Sequence, residues 1–179
     1  GPYPGPFDRH RPETGFVLKL ARETLQNARR YGIEPAALHL DFDAATPQLD
    51  GYRHWLEALR EAIAPTPLVL TALPTWLNSP AFARLAPAAD RYVLQIHSWA
   101  APKTPDHPFT LCDPEQAKRA IIKAARLNRP FQVALPTYGY RAWFDGQNRL
   151  LGLSAEGPTL AAACNTQVRF LCFAGSVYD

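Results

Sequence analysis

Two carboxylates set two residues apart, Asp41 and Asp43, hold the clearest chemical potential in this sequence. They end the run Leu38-His39-Leu40-Asp41-Phe42-Asp43, whose alternation predicts one short strand over 38–43. Side chains alternate faces along a strand, so His39, Asp41 and Asp43 point one way and Leu38, Leu40 and Phe42 the other. Ala44-Ala45-Thr46-Pro47 then turns toward a helix, which puts the acids at the strand's C-terminal end. In α/β folds that edge collects ligands and catalytic groups. Two acids on one face repel, so one should hold its proton to higher pH unless a cation or donors compensate. The plainer alternative is an acidic pair that caps the next helix or binds an arginine.

The elements that position these acids follow from hydrophobic spacing. Residues 1–15 carry four prolines and three glycines and read as a connecting segment. Thr14 is expected to cap a first helix with Val17, Leu18, Leu20, Ala21, Leu25 and Ala28 at helical spacing, stopped by Gly32. After the acidic strand, Pro47 opens a second helix with Leu49, Tyr52, Leu56, Leu59 and Ile63 on one face, ended by Pro65 and Pro67. Residues 68–73 form an unbroken apolar run, the pattern of a parallel strand buried on both faces. A short helix near 79–87, a third strand over 92–97 and a proline-rich loop over 98–112 come next.

Asp113-Pro114-Glu115-Gln116 predicts a capped helix start, with the helix running to about Leu127 and a fourth strand over 131–136. Residues 142–144 and 149–153 flank Asp145-Gly146-Gln147-Asn148 as a hairpin whose turn contains Asp-Gly. A helix around 158–164 and a last strand near 168–173 complete the chain. Alternating strands and helices imply parallel βαβ units, an α/β fold of the (β/α)8 TIM-barrel type. Five strands fall short of the eight of a full barrel, so the expectation is a single barrel-like domain over residues 1–179 that is incomplete in this chain.

Gathering the groups at the strand ends gives one chemical picture. The first strand supplies Asp41 and Asp43; the second supplies Thr71, then Thr75 and Trp76. The third supplies Gln95 and His97 with Ser98 and Trp99, and the fourth Tyr138 and Tyr140 with Arg141. Acids and amides bind hydroxyls while aromatic faces stack on sugar C–H surfaces, so the set suits a polysaccharide. Glycoside hydrolysis takes a proton donor and a group that stabilises an oxocarbenium-like transition state. Asp43 fits the donor and Asp41 its ionised partner, with Thr71, Trp76, Gln95, His97, Trp99, Tyr138 and Tyr140 contacting substrate. The usual scheme sets its carboxyls ~5 Å or ~6.5–9.5 Å apart across the sugar, so a second acid such as Asp145 or Asp106, or substrate assistance, is required.

Two rivals stand beside the enzyme. One is a catalytically idle barrel that binds a polysaccharide or a protein through the same rim. The other is a metal-dependent hydrolase using Asp41, Asp43 and His97, although no metal-ligand spacing motif is present. The plain readings are that Gln95 and His97 complete a buried network and that Trp76 and Trp99 cover the core, as Trp55 and Trp143 should.

Composition narrows the field. At 47% hydrophobic and 20% charged residues over 179 positions, the chain is globular rather than disordered. A net charge of +3 with interspersed signs argues against nucleic acid or an anionic membrane as partner. No run of ~18 apolar residues predicts a membrane span, and no cofactor is called for, since phosphate-loop and nucleotide fingerprints are missing. The opening Gly1-Pro2 and the lack of any methionine suggest a processed form or part of a longer chain. Cys112, Cys164 and Cys172 lack metal-ligand spacing; a Cys164–Cys172 bridge and buried free thiols both remain open, the thiols favoured.

Three blocks carry a family likeness: LHLDFDAATPQLDGYRHWLEALREAI, LVLTALPTWLNSPAFARLAPAADRYVLQIHSW and PFQVALPTYGYRAWFD. Over roughly residues 15–150 they resemble, in the same order, the bacterial domain-of-unknown-function family 3142. The resemblance implies a (β/α)8 barrel related to glycoside hydrolases, in exported or lipid-anchored proteins of Gram-negative bacteria, with an upstream barrel strand outside this chain. The L-D-F-D block also looks like the tail of the D-x-D-x-E strand of chitinase-like barrels. Where that likeness calls for a catalytic glutamate, this chain has Ala45.

Overall fold

The structure, a computed structural model, describes residues 5, 7–8, 10–97, 102–106, 110–136, 139–154 and 169–174. Two compact units emerge: residues 1–95 with 119–134, and residues 96–118 with 135–179.

The first unit begins with helix α1 (Pro12–Arg30). Arg11, not Thr14, is its N-cap, with Pro12 at the first helical position. Thr14 lies inside the first turn, buried, and its hydroxyl donates to the Asp8 carbonyl instead of capping. At the other end Gly32 takes φ +73°. The Gly32 N–H bonds the Arg29 carbonyl and the Ile33 N–H the Ala28 carbonyl, a Schellman stop.

Strand β1 spans only Leu38–Leu40 rather than 38–43. The cause is local: the Ala44 N–H bonds the Phe42 carbonyl at 2.9 Å, a tight turn that lifts the backbone off the ladder. A 3₁₀ turn over Thr46–Gln48 leads into helix α2 (Leu49–Ile63), which buries Leu49, Tyr52, Trp55, Leu56, Leu59 and Ile63 as its spacing predicts. A Cβ on Gly51 would stand 2.6 Å from the Phe7 carbonyl oxygen, so glycine there lets the N-terminal segment lie directly on α2.

Strand β2 (Leu68–Ala72) is buried at every position. Its first N–H, on Leu68, is accepted by Asp90 Oδ2 at 2.8 Å, while Asp90 Oδ1 pairs with Arg60. Ser79 caps helix α3 (Pro80–Leu85), accepting from the Ala81 N–H. Strand β3 (Arg91–Gln95) ends before His97. Helix α4 (Pro114–Ala125) starts as its sequence predicts, Asp113 Oδ1 accepting the Glu115 and Gln116 N–H groups. Strand β4 covers Phe131–Ala134, shorter than expected.

These strands form one parallel sheet in the order β1-β2-β3-β4. Register puts Leu40, Leu70, Tyr92 and Phe131 on one face. There Tyr92 meets the Phe82 ring at 5.4 Å, and its hydroxyl donates to the Ala124 carbonyl. The opposite face carries His39, Thr71, Val93, Gln95 and Gln132.

The second unit holds a three-stranded antiparallel sheet in the order β6-β5-β7, from β5 (Gly139–Phe144), β6 (Leu150–Ser154) and β7 (Arg169–Ala174). The expected hairpin is present as β5–β6, although the residue with positive φ in its turn is Asn148 (φ +61°). The last strand corrects an expectation: it pairs antiparallel with β5 and does not extend a parallel βαβ series. A short apolar run has the same period in either orientation, so only its ladder partner decides. The helix expected around 158–164 lies outside the described residues.

Candidate functional site

The acids sit on a short loop anchored from below. Phe42, between them, packs edge-on against Tyr52 at 6.2 Å and Trp55 at 6.1 Å. Ala44 is buried, and its carbonyl accepts the Trp76 indole N–H at 3.0 Å. The Ala45 carbonyl accepts the Gln48 N–H at 2.8 Å, fixing the exit into α2. The sequence thus alternates anchor and acid: Phe42 and Ala44 go into the aromatic core, while Asp41 and Asp43 stand exposed to water. Both carboxylates lie beyond the last residue of β1, at its C-terminal end.

Of the substrate-contact residues read from sequence, Thr71 and Trp76 are buried. The Thr71 hydroxyl and His39 Nε2 share a hydrogen bond at 2.8 Å across β1 and β2. Trp76 is 1% exposed, with its N–H taken by Ala44. Its ring therefore holds the acidic loop from beneath and has no face open to a sugar in this arrangement. Gln95 ends β3 half-buried. His97, also half-buried, belongs to the second unit. Tyr140 stands within β5, its backbone opposite Phe173, and not in a loop after a parallel strand. Trp99 and Tyr138 lie outside the described residues.

Asp145 serves a different purpose from the second acid that hydrolysis would require. Its Oδ1 accepts the Gln147 and Arg149 N–H groups, each at 2.9 Å, and its Oδ2 accepts Arg149 Nε at 2.6 Å. The Arg149 N–H foremost, with the Arg149 guanidinium and the Gln147 N–H, holds this carboxyl below the usual range. Such a group stays ionised and makes a poor proton donor.

Sequence reasoning placed Tyr52 in the core and missed its position beneath the acids. Burial first, then the nearby Asp41 and Asp43 carboxylates, push its ionisation far above the usual phenol range. The signal lay in the spacing: α2 begins a few residues after the acids, so its first inward aromatic returns under them. Cys112 is a free, half-buried thiol whose pKa is raised by burial and then by Asp113. Among the described residues no group of three or more His, Cys, Asp or Glu side chains could hold a metal ion. None of the described helices is long and apolar enough to cross a membrane.

A parallel four-stranded sheet linked by helical crossovers, with acids just past the C-terminal end of one strand, defines an α/β fold. The chain belongs to the family described as a domain of unknown function, DUF3142, whose model matches residues 9–169. A Bacillus subtilis protein classed as a sporulation-specific glycosylase shares the fold at TM-score 0.54 and 14% identity, over 75% of this chain and 47% of that one. The spore cortex-lytic enzyme SleL of Bacillus cereus does so at TM-score 0.54 and 19% identity, over 81% and 34%. A chitinase from Chromobacterium violaceum follows at TM-score 0.51 and 18% identity, over 68% and 41%. The chain thus spans between 34% and 47% of the length of these three structures. No curated protein sequence matches it.

Proposed function

We propose that this protein acts on a polysaccharide at the C-terminal ends of its parallel strands, as a glycoside-hydrolase-like barrel. The observation that carries the reading is the anchored loop presenting Asp41 and Asp43 to solvent just past β1. Asp43 serves as the acid and Asp41 as the ionised stabiliser. Substrate-contact roles for Gln95, His97, Trp99, Tyr138 and Tyr140 belong to the same proposal, as does closure of the sheet into a (β/α)8 barrel by further strands. The spore cortex-lytic relative supports a glycan of the cell envelope as substrate class. An exported or lipid-anchored location in a Gram-negative bacterium fits that class.

One observation favours a second reading, recognition without cleavage. Ala45 stands where chitinase-like chemistry calls for a glutamate. Both readings meet the same experiment: binding and chain shortening on arrays of exopolysaccharides and cell-wall glycans, for wild type, Asp41→Asn and Asp43→Asn. Cleavage that vanishes in Asp43→Asn while binding persists establishes the hydrolase. Binding without cleavage, indifferent to both substitutions, establishes the recognition module.

A further inference from the structure

We infer that His39 is a specificity-determining contact of the acidic site, a neutral imidazole held by Thr71 with its Nδ1–H offered to an oxygen acceptor of the bound glycan. The inference rests on the proposed action on a polysaccharide at the acids after β1. His39 lies in β1, one residue before the strand's end at Leu40. Exposure alternates from there into the loop: His39, Asp41 and Asp43 are open to water, and Leu40 and Phe42 between them are half-buried. Register places His39 on the sheet face of Thr71, Gln95 and Gln132, of which Gln95 is half-buried and Gln132 exposed. A parallel sheet ordinarily covers both faces with apolar side chains. A face that keeps an imidazole and two amides within reach of water is a departure that packing alone does not require.

The bond between the two strands fixes which ring nitrogen carries the proton. Thr71 is 4% exposed, and its hydroxyl has one hydrogen-bond partner among the described residues, His39 Nε2 at 2.8 Å. A hydroxyl has a single proton to give, and burying that proton without an acceptor costs more than leaving a lone pair spare. Thr71 therefore donates, Nε2 accepts, and the neutral ring keeps its proton on Nδ1. The Thr71 bond is also the ring's one hydrogen bond among the described residues, so on this exposed side chain Nδ1–H is left to solvent or to a ligand. A histidine alone in water exchanges tautomers and rotates freely; this one is a directed donor. On a sugar it suits a hydroxyl or acyl oxygen. Ionised carboxylates only accept, so Asp41 and Asp43 take the complementary contacts, from hydroxyl protons.

The test begins on the whole, ligand-free protein with nitrogen-15 NMR of the histidine rings. His39 is expected as the Nδ1–H tautomer, and the Nε2–H tautomer overturns the proposal. Two variants then separate contact from scaffold, with chitohexaose and a soluble peptidoglycan fragment as the probes. His39→Gln sets its amide where Nε2 stands, keeps a partner for Thr71 and removes the outward donor. Its binding is expected to be about tenfold weaker, the worth of one hydrogen bond, at an unchanged melting temperature. His39→Asn keeps a donor near Nδ1 and gives up Thr71, so it should bind more tightly than His39→Gln while melting lower. Wild-type affinity in His39→Gln means a ring that only fastens two strands and overturns the proposal. Should either variant fail to fold, the unsubstituted protein decides: adding the bound probe shifts the His39 Nδ1 resonance, or leaves it unmoved and overturns the contact. The two readings fail in different ways. A probe bound equally by wild type and His39→Gln removes the role of His39 and leaves the proposed function standing; no probe bound by the wild type removes both.

Discussion

The acidic loop after β1 and the turn between β5 and β6 place the same residue type in opposite circumstances. Asp145 spends both oxygens on its own turn, accepting two backbone N–H groups and a guanidinium from residues within four positions. Asp41 and Asp43 are exposed, and it is the residues between and after them, Phe42 and Ala44, that hold the backbone. In the turn the acid makes the structure. In the loop the structure presents the acids. Carboxylates held out to solvent by a rigid backbone can serve a ligand, whereas one consumed by its own turn cannot.

The distinction breaks most visibly in activity. Under the hydrolase reading, Asp43→Asn should lower turnover on the cleaved glycan by about 10²–10⁴-fold, the usual scale for losing a general acid. Asp145→Asn should leave turnover unchanged, measured as kcat on samples matched for folding. Equal losses in both would mean that the turn acid shares the chemistry.

Removing the anchor sharpens the same comparison through stability. Trp76→Ala deletes a fully buried ring and is expected to cost about 3–5 kcal/mol in urea unfolding. Trp76→Phe keeps most of the packing but leaves the buried Ala44 carbonyl without its donor, at about 1–3 kcal/mol. In both, amide exchange over 41–45 should accelerate while the β5–β6 turn keeps its protection. The matching lesion in the second unit is Gly152→Ala, whose Cβ would fall 2.4 Å from the Trp143 ring. Forcing that ring aside should cost about 1–3 kcal/mol, read by the same unfolding curves, with exchange now faster in the hairpin.

Much of the first unit could be read in advance because its signals are local. Leu49, Tyr52, Leu56, Leu59 and Ile63 give the buried stripe of α2, and Asp113-Pro114 gives the start of α4. The all-apolar run of β2 gives a strand covered on both faces. Misreadings arose where a neighbour in space outvoted a neighbour in sequence. Thr14 looks like a cap, yet the Asp8 carbonyl claims its hydroxyl. Asp41 to Asp43 continue the alternation of β1, yet a single Phe42–Ala44 hydrogen bond ends the strand. Trp76 looks like a sugar platform, yet its ring is buried and its N–H is taken by the Ala44 carbonyl of the loop above it. The position of the acids at a strand's end was legible; what lies under them was not, because it depends on how α2 packs back onto the loop.

The smallest expected effect tests the turn acid by pH. In the folded chain the Asp145 carboxyl is held below its ordinary value of 3.8, chiefly by the Arg149 N–H and then by the Arg149 side chain. A carboxyl that is a stronger acid folded than unfolded stabilises the fold at pH values above the unfolded value, and that contribution disappears as pH falls toward the lower, folded one. Wild type should therefore exceed Asp145→Asn in stability at neutral pH, and the two unfolding curves should converge only in strong acid. Asparagine retains an oxygen for the Gln147 and Arg149 N–H groups, so what the comparison isolates is the charge facing Arg149. That pair is solvent-exposed on the arginine side, and added salt should shrink the neutral-pH difference. A gap that persists unchanged from neutral pH into strong acid would mean that the turn is held by the shape of the side chain and not by its ionisation, and Asp145 would then no longer differ from the acids after β1 through a charge committed to its own turn.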